Sequence, residues 1–426
     1  MTDETREAKG PPNGRSKEHK IIENKPAKGD KLGLTYYTPA QDPPAGTALS
    51  SNPPKLFQPL TIRGVTFQNR IFLSPLCQYS SENGHHTAWQ MTHLGGIIQR
   101  GPGMTMVEAT SVTPQGRITP EDSGLWLDSQ KEPLRKIVEF AHSQSQIIGI
   151  QLGHAGRKGS TVAPWLSSGD TAFEEVNGWP DDVWAPSATA YNDKHPMPKA
   201  YTLEGIEELK KAFGDAIKRA VDVGFDLIEL HFAHGYLLHE FLSPVTNKRT
   251  DKYGGSFENR TRLGVELVDL ARSIIPKDMP LFVRISATDW LEKVDEVEAS
   301  WTQEQSAKLA LILAEHGVDL LDVSTGGLDP RAKMDSGPAY QARFAKFIKK
   351  EVGDKLLVTT VGAIKDGKIA QQQLDEGLDA VFSGRWFQKD PDLVWTFAED
   401  LGVDINVANQ IRWAFGGRGV GGPRKK

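Results

Sequence analysis

The sequence has one cysteine, Cys77, in 426 residues. No intramolecular disulfide, cysteine-rich zinc site or cysteine-ligated iron–sulfur cluster can form, which fits a reducing, intracellular compartment. No apolar run approaches the roughly 20 residues that a membrane-spanning helix needs. The N-terminus lacks an apolar h-region, and the early acids Asp3, Glu4 and Glu7 speak against a mitochondrial transit peptide. A cytoplasmic location is expected. Positive charge is not in excess: the formal net charge is −5, which gives no reason to invoke nucleic acid or an anionic membrane as partner. A glycine-rich phosphate turn is missing after the first apolar run, where Ser74-Pro-Leu-Cys77 stands, and this disfavours a doubly wound dinucleotide-binding sheet. The Gly417-Arg-Gly-Val-Gly-Gly422 segment fits GxGxxG but follows no strand and opens no helix, so it reads as a flexible loop.

What is present is ordinary globular composition with a strong internal rhythm. Residues 1–52 are rich in Lys, Glu, Gly, Pro and Asn without periodicity and are expected to form a mobile extension. Residues 53–415 are expected to form one domain, and 416–426 a flexible tail. Thr61–Phe67 alternates around Arg63-Gly64 and predicts a hairpin capping one end of the core. Eight apolar runs then follow: Ile71–Pro75, Met104–Ala109, Ile147–Leu152, Phe225–Leu230, Leu281–Ile285, Leu320–Val323, Leu356–Val361 and Ala380–Ser383. Amphipathic stretches separate them. The clearest is Thr202–Val223, with Thr202 suited to an N-cap and Gly224 as its stop. Continuous apolar strands alternating with helices predict a (β/α)8 barrel. A long loop, Pro164 to Ala200, follows the third strand and carries Trp165, Trp179, Trp184 and Tyr191.

Barrels of this kind place chemistry after the C-terminal ends of their strands. The fourth run is followed by His231-Phe-Ala-His234-Gly-Tyr236. Imidazoles can donate hydrogen bonds to a carbonyl oxygen and a phenol can deliver a proton, so the trio suits polarisation and protonation of an enone. The seventh and eighth runs end at Gly362 and Gly384-Arg385, where backbone N–H groups and a guanidinium could receive a phosphate. Gln151 and Arg284 could read a planar heterocycle, and Ala109 leaves room for one. A phosphorylated, flat, redox-active ring suits this inventory, and FMN is the simplest candidate.

The chain resembles the Old Yellow Enzyme family of FMN-dependent ene-reductases, in its thermophilic-like branch. The resemblance covers roughly residues 55 to 415. It rests on Asn69-Arg-Ile, Ser74-Pro-Leu-Cys-Gln-Tyr79, Gln151-Leu-Gly-His-Ala-Gly-Arg-Lys158, His231 through Pro244, Arg249 through Arg260, Val283-Arg-Ile-Ser-Ala287 and Gly384-Arg385. It implies that Ser74, Pro75, Leu76 and Cys77 pass along the flavin, with Cys77 near its reactive edge. Ala109 and Gln151 would contact the ring, and Arg284 would sit by its N1–C2=O edge. Gly362, Gly384 and Arg385 would hold the phosphate. His231 and His234 would bind the substrate carbonyl, Tyr236 would protonate Cα, and Tyr79 would line the pocket. NADPH or NADH would reduce the flavin, then leave; hydride from N5 would go to Cβ of the α,β-unsaturated carbonyl substrate. One pocket used twice implies ping-pong kinetics.

The family often has methionine where Leu76 stands, a near-isosteric exchange. Relatives can insert a C-terminal arginine into a neighbouring subunit's site; here Arg412 and Trp413 occupy that region in ambiguous register. Trp413 and Phe415 are large for a glycine-rich tail, and a homo-oligomer, most simply a dimer, is expected with this segment at or near its interface. Two other classes stand beside this reading. His231 and His234 have a spacing that could ligate a metal in a barrel lyase or hydrolase, although no third ligand cluster is evident and no metal is expected. A non-catalytic flavin-binding protein is the other.

Overall fold

The computed structural model describes residues 23–27 and 34–418. All eight apolar runs fold as strands: β1 (Ile71–Leu73), β2 (Met104–Ser111), β3 (Ile148–Gly153), β4 (Leu227–Phe232), β5 (Leu281–Ser286), β6 (Leu320–Ser324), β7 (Leu357–Thr360) and β8 (Ala380–Ser383). Each pairs in parallel with the next in sequence, and β8 closes on β1 through Val381 opposite Ile71. A helix lies between successive strands, among them Leu203–Val223 after β3 and Phe257–Ile274 after β4. The Thr202 hydroxyl accepts from the Gly205 N–H, and Gly224 ends that helix at φ 100°. A Cβ at that φ would be strained, so glycine is the natural stop. The result is a (β/α)8 barrel.

Strand alternation sorts the side chains. On β4, Ile228, Leu230 and Phe232 point outward into the large apolar cluster shared with the helices. Leu227 points inward, joining Phe72, Met104, Met106, Phe282, Leu320, Ala380 and Phe382 in a second cluster that fills the lower barrel. The hairpin forms as predicted, with Leu60–Ile62 antiparallel to Val65–Phe67 and Arg63 at φ 51° in its turn. Its Ile62 and Phe67 plug the barrel floor. Phe67 lies 5.1 Å, centroid to centroid, from Phe72, which meets Phe382 edge-on at 5.4 Å. Truncating such a buried phenylalanine typically costs about 3–5 kcal/mol.

Packing begins ahead of the expected boundary at residue 52. Thr38, Gln41 and Ala45 are buried, and the Gln41 amide donates to Gln144 Oε1 at 3.2 Å and Gln410 Oε1 at 2.8 Å. Asn69 donates to Gly46 O at 3.1 Å. Amide-to-amide pairing orders this stretch where apolar area is scarce, a signal that hydrophobic periodicity does not carry. Residues 1–22, 28–33 and 419–426, which include most of the expected extension and most of the GxGxxG match, lie outside the described residues. No helix among those described is long and apolar enough to cross a membrane.

Candidate active site

The C-terminal ends of the strands surround a cavity of about 570 Å³. Ser74, Pro75, Leu76, Cys77, Tyr79, Ala109, Gln151, His231, His234, Tyr236, Arg284, Gly362, Gly384 and Arg385 all line it. Residues more than 300 positions apart in sequence thus share one wall, because closing the barrel brings β8 against β1. Ala109 reaches the cavity through a register shift between Val107 and Thr110 of β2, a bulge that re-aims the strand's side chains.

The inward faces of β3 to β6 form a polar layer beneath the cavity. Gln151 Nε2 donates to Glu229 Oε1 at 2.7 Å, and Arg284 Nε donates to Asp322 Oδ2 at 2.5 Å. Arg284 Nη2 also reaches Ser74 Oγ at 3.1 Å. The guanidinium is thereby held in one orientation at the floor, and the Gln151 carbonyl oxygen is left for the cavity.

Above this layer the trio assembles. His231 lies 5.2 Å from His234 and 5.3 Å from Tyr236 between ring centroids. His234 and Gly235 adopt φ 61° and 68°, and a Cβ on Gly235 would stand 2.1 Å from Gly327 O. Only glycine permits this reversal, which turns Tyr236 back over the cavity. The Gly235 N–H donates to His239 Nδ1 at 2.9 Å, and His239 Nε2 lies 2.9 Å from Asp289 Oδ1. Lys158 Nζ donates to His234 O at 2.9 Å and also to Gly327 O. Its ammonium lies 5.4 Å from the Tyr236 ring centroid. Lys158 thus clamps the turn that carries Tyr236.

Burial holds both imidazoles well below the usual histidine range; the His234 ring is also pushed down by His231, and both by the Arg284 and Lys158 charges. They are therefore neutral, with one ring proton each. His231 Nδ1 is buried without a partner, so its proton belongs on Nε2, the other ring nitrogen. His234 Nε2 lies 2.7 Å from Ser324 Oγ. The same hydroxyl has Gln341 Oε1, an acceptor only, within 3.2 Å, so its single proton goes either to Gln341, with Ser324 Oγ accepting from His234 Nε2, or to His234 Nε2, with the ring proton on Nδ1. Burial pushes the Tyr236 phenol well above its ordinary value, so its proton is retained across neutral pH. Burial likewise raises Cys77, with Asp122 and Glu108 adding to it, and keeps it a thiol.

At the far wall, Gly362 (φ 116°) and Gly384 keep the backbone open; a Cβ on Gly384 would press on Leu76 at 3.2 Å. Arg385 and Lys389 line the same wall and supply two cations. Lys389, Tyr340, Gln341, Ser324 and Trp386 are lining residues that the sequence reading did not select. Lys389 lies one helical turn past Arg385, a spacing that could have marked it. Glu108, also missed, accepts from the Gln78 N–H and from Gln90 Nε2, and so fixes the segment after Cys77. Burial lifts it to about 8.

The loop after β3 contributes a rim. Trp165 meets Tyr79 edge-on at 5.7 Å and is 66% exposed; Tyr191 lies 4.5 Å from Lys158 Nζ. The C-terminal helix Asn409–Gly416 buries no residue. Arg412 is engaged by its own chain, donating to Asn406 Oδ1 and to Val407 O at 3.3 Å. Trp413 is 64% exposed, and Phe415 packs edge-on against Trp395 at 5.1 Å. Among the described residues no cluster of three or more His, Cys, Asp or Glu is arranged to hold a metal.

Comparison with known proteins agrees with this geometry. Residues 55–403 match the model of the NADH:flavin oxidoreductase / NADH oxidase family. The chain is 58% identical to an NADH:flavin oxidoreductase of Gibberella zeae over 414 residues, covering 96% of this chain and 99% of that one. It is 40% identical to an NADPH dehydrogenase of Bacillus subtilis over 359 residues, 82% of this chain and 96% of the relative. Among solved structures, morphinone reductase superposes with a TM-score of 0.67 at 26% identity, over 84% of this chain and 92% of that one. The old yellow enzyme homologue from Zymomonas mobilis gives 0.66 at 27%, over 83% and 95%.

Proposed function

Because this chain belongs to the NADH:flavin oxidoreductase family, that of the Old Yellow Enzymes, and is an NAD(P)H-dependent flavin oxidoreductase, we propose that it reduces the activated C=C bond of α,β-unsaturated carbonyl compounds. The observation that carries this reading is the trio: two neutral imidazoles and a protonated phenol converging on one cavity whose floor holds the Arg284 guanidinium and whose far wall is glycine- and cation-lined.

The cavity suits FMN on its donor set. Arg385 and Lys389 with the open backbone at Gly362 and Gly384 would take the phosphate. Gln151, its N–H committed to Glu229, keeps a carbonyl acceptor for a ring N–H. Arg284, anchored by Asp322, would present positive charge to the edge where a reduced flavin is electron-rich. Bound FMN would supply the hydride relay between NAD(P)H and the alkene.

The protein's own groups do the rest. His231 and His234 would each donate to the substrate carbonyl oxygen and draw electron density from Cβ. Because both are neutral, they bind the oxygen without protonating it. Tyr236 would give its proton to Cα as general acid. Ser324, turning its hydroxyl from Gln341 Oε1 to His234 Nε2, would leave the His234 proton on Nδ1 for the substrate. Tyr79 and Trp165 would shape the mouth. A homodimer through the exposed Trp413 face completes the reading.

The test is spectroscopic. Purified protein should be yellow, bleach on anaerobic NADPH, and regain its oxidised spectrum when 2-cyclohexenone is added. Bleaching with no recovery on enone would leave a flavin reductase without ene-reductase activity. A colourless, chelator-sensitive protein would point instead to metal chemistry at His231 and His234.

A further inference from the structure

Beneath the cavity two carboxyls, Glu229 and Asp322, share one cation, Arg284. All three are nearly or fully buried. Asp322 takes the guanidinium directly at 2.5 Å, and Thr359 Oγ1 lies 3.4 Å from its other oxygen. Glu229 has only the Gln151 amide on Oε1, and its Oε2 is buried with no partner. An ionised carboxylate with an orphaned oxygen in such a place costs several kcal/mol, whereas the neutral acid costs far less. One cation neutralises one anion, so one proton is left over, and the hydrogen bonding assigns it to Glu229.

We propose that Glu229 is a neutral carboxylic acid beneath the active site, a positioning residue that fixes the Gln151 amide and keeps uncompensated negative charge away from the flavin. The inference rests on the FMN reading above. The groups facing Glu229 are Gln151 on β3, Arg284 on β5, Asp322 on β6 and, one step up its own strand, His231. Burial pushes Glu229 up to about 8, Asp322 adding to the shift and Arg284 and Gln151 opposing it. Reduction of bound flavin to its anionic form consumes two electrons and one proton. Where Glu229 starts ionised, the new negative charge above it makes it bind a second proton, giving two electrons and two protons overall.

The experiment is a potentiometric titration of the FMN-loaded protein with dithionite between pH 6 and 10, for the parent and Glu229→Gln. One proton per two electrons changes the equilibrium tenfold per pH unit, about 30 mV. The parent should follow that slope near pH 7 and steepen to about 60 mV per unit at alkaline pH, while the variant keeps the shallow slope throughout. At pH 7 their equilibrium constants should agree within about threefold, because glutamine copies the neutral acid. The parent-minus-variant spectrum should also show a protonated-carboxyl infrared band that is lost on alkaline titration; Glu108, which burial also lifts to about 8, is common to both proteins and cancels. That band is read without flavin, and the alkaline steepening is read on the parent without the variant. A variant potential raised more than tenfold in equilibrium constant at pH 7, or a parent-minus-variant spectrum lacking the band at pH 7, would overturn the assignment. Protein that binds no flavin yet shows the band would refute the flavin reading and leave the protonation state standing.

Discussion

Replacing Tyr236 with phenylalanine separates the two halves of the proposed cycle. Among the described residues no group hydrogen-bonds the Tyr236 hydroxyl, and the ring contacts with His231 survive the change. The fold and the flavin pocket should therefore stay intact. Reduction by NADPH needs no proton from this phenol and should keep its rate. Oxidation by an enone should slow by about 10²–10⁴-fold, the usual range for a positioned general acid, or about 2.7–5.4 kcal/mol of barrier. Because burial raises the phenol above its ordinary value, the acid form persists as pH rises. The parent's enone half-reaction should therefore stay flat through pH 9, and any alkaline fall should come later than an exposed tyrosine would give. Anaerobic stopped-flow of the two half-reactions, each followed by flavin absorbance, reads both effects. Equal enone rates in parent and variant would remove Tyr236 from the mechanism.

Other substitutions probe the supports. Ser324→Ala should free the His234 tautomer and weaken binding of p-hydroxybenzaldehyde by about 3- to 10-fold, one neutral hydrogen bond's worth, read from the charge-transfer absorbance. Binding of 2-cyclohexenone, which has no ionisable group, should be level from pH 8 down to pH 6 in the parent, since both imidazoles are held below the usual range and stay neutral there; a midpoint near 6.5 would mean the pair is solvated. Gly235→Ala forces a Cβ onto Gly327 O at positive φ and should lower stability by about 1–3 kcal/mol or more, seen as a reduced Tm with enone turnover lost. If the proposed homodimer forms through this face, Trp413→Glu should halve the mass in light scattering; a dimeric mass left unchanged would place the contact elsewhere, and a monomeric parent would refute the dimer.

The strands were legible because each barrel strand buries both faces and so reads as an apolar run bounded by glycine or a cap. Tyr236 and the histidines were legible because titratable side chains stand where such a run stops. Glu229 and Asp322 were not: each sits inside a run whose flanking leucines and valines dominate the pattern, and only barrel closure shows that they face the same cation. Lys158 and Ser324 were hidden for a related reason. Their partners, His234 O and His234 Nε2, come from another strand's end, and pairing across strands leaves no periodic trace. The ordering of residues 38–48 was missed because side-chain amides, not apolar area, secure it.

The loop 164–200 bears on how the enzyme could diversify. It is stapled at its base by the parallel pairing of Trp184–Ala185 with Lys199–Ala200, and Trp179 Nε1 anchors to Gln115 O at 3.1 Å. None of those ties involves a strand of the barrel, and the trio and the glycine- and cation-lined wall stand at the ends of strands that the loop does not build. Tyr191, its ring on Lys158, is tied to the turn beneath, whereas the rim bearing Trp165 is an exchangeable cassette. A lineage, or a laboratory library confined to these positions, can retune which molecules enter while the machinery beneath goes on unaltered.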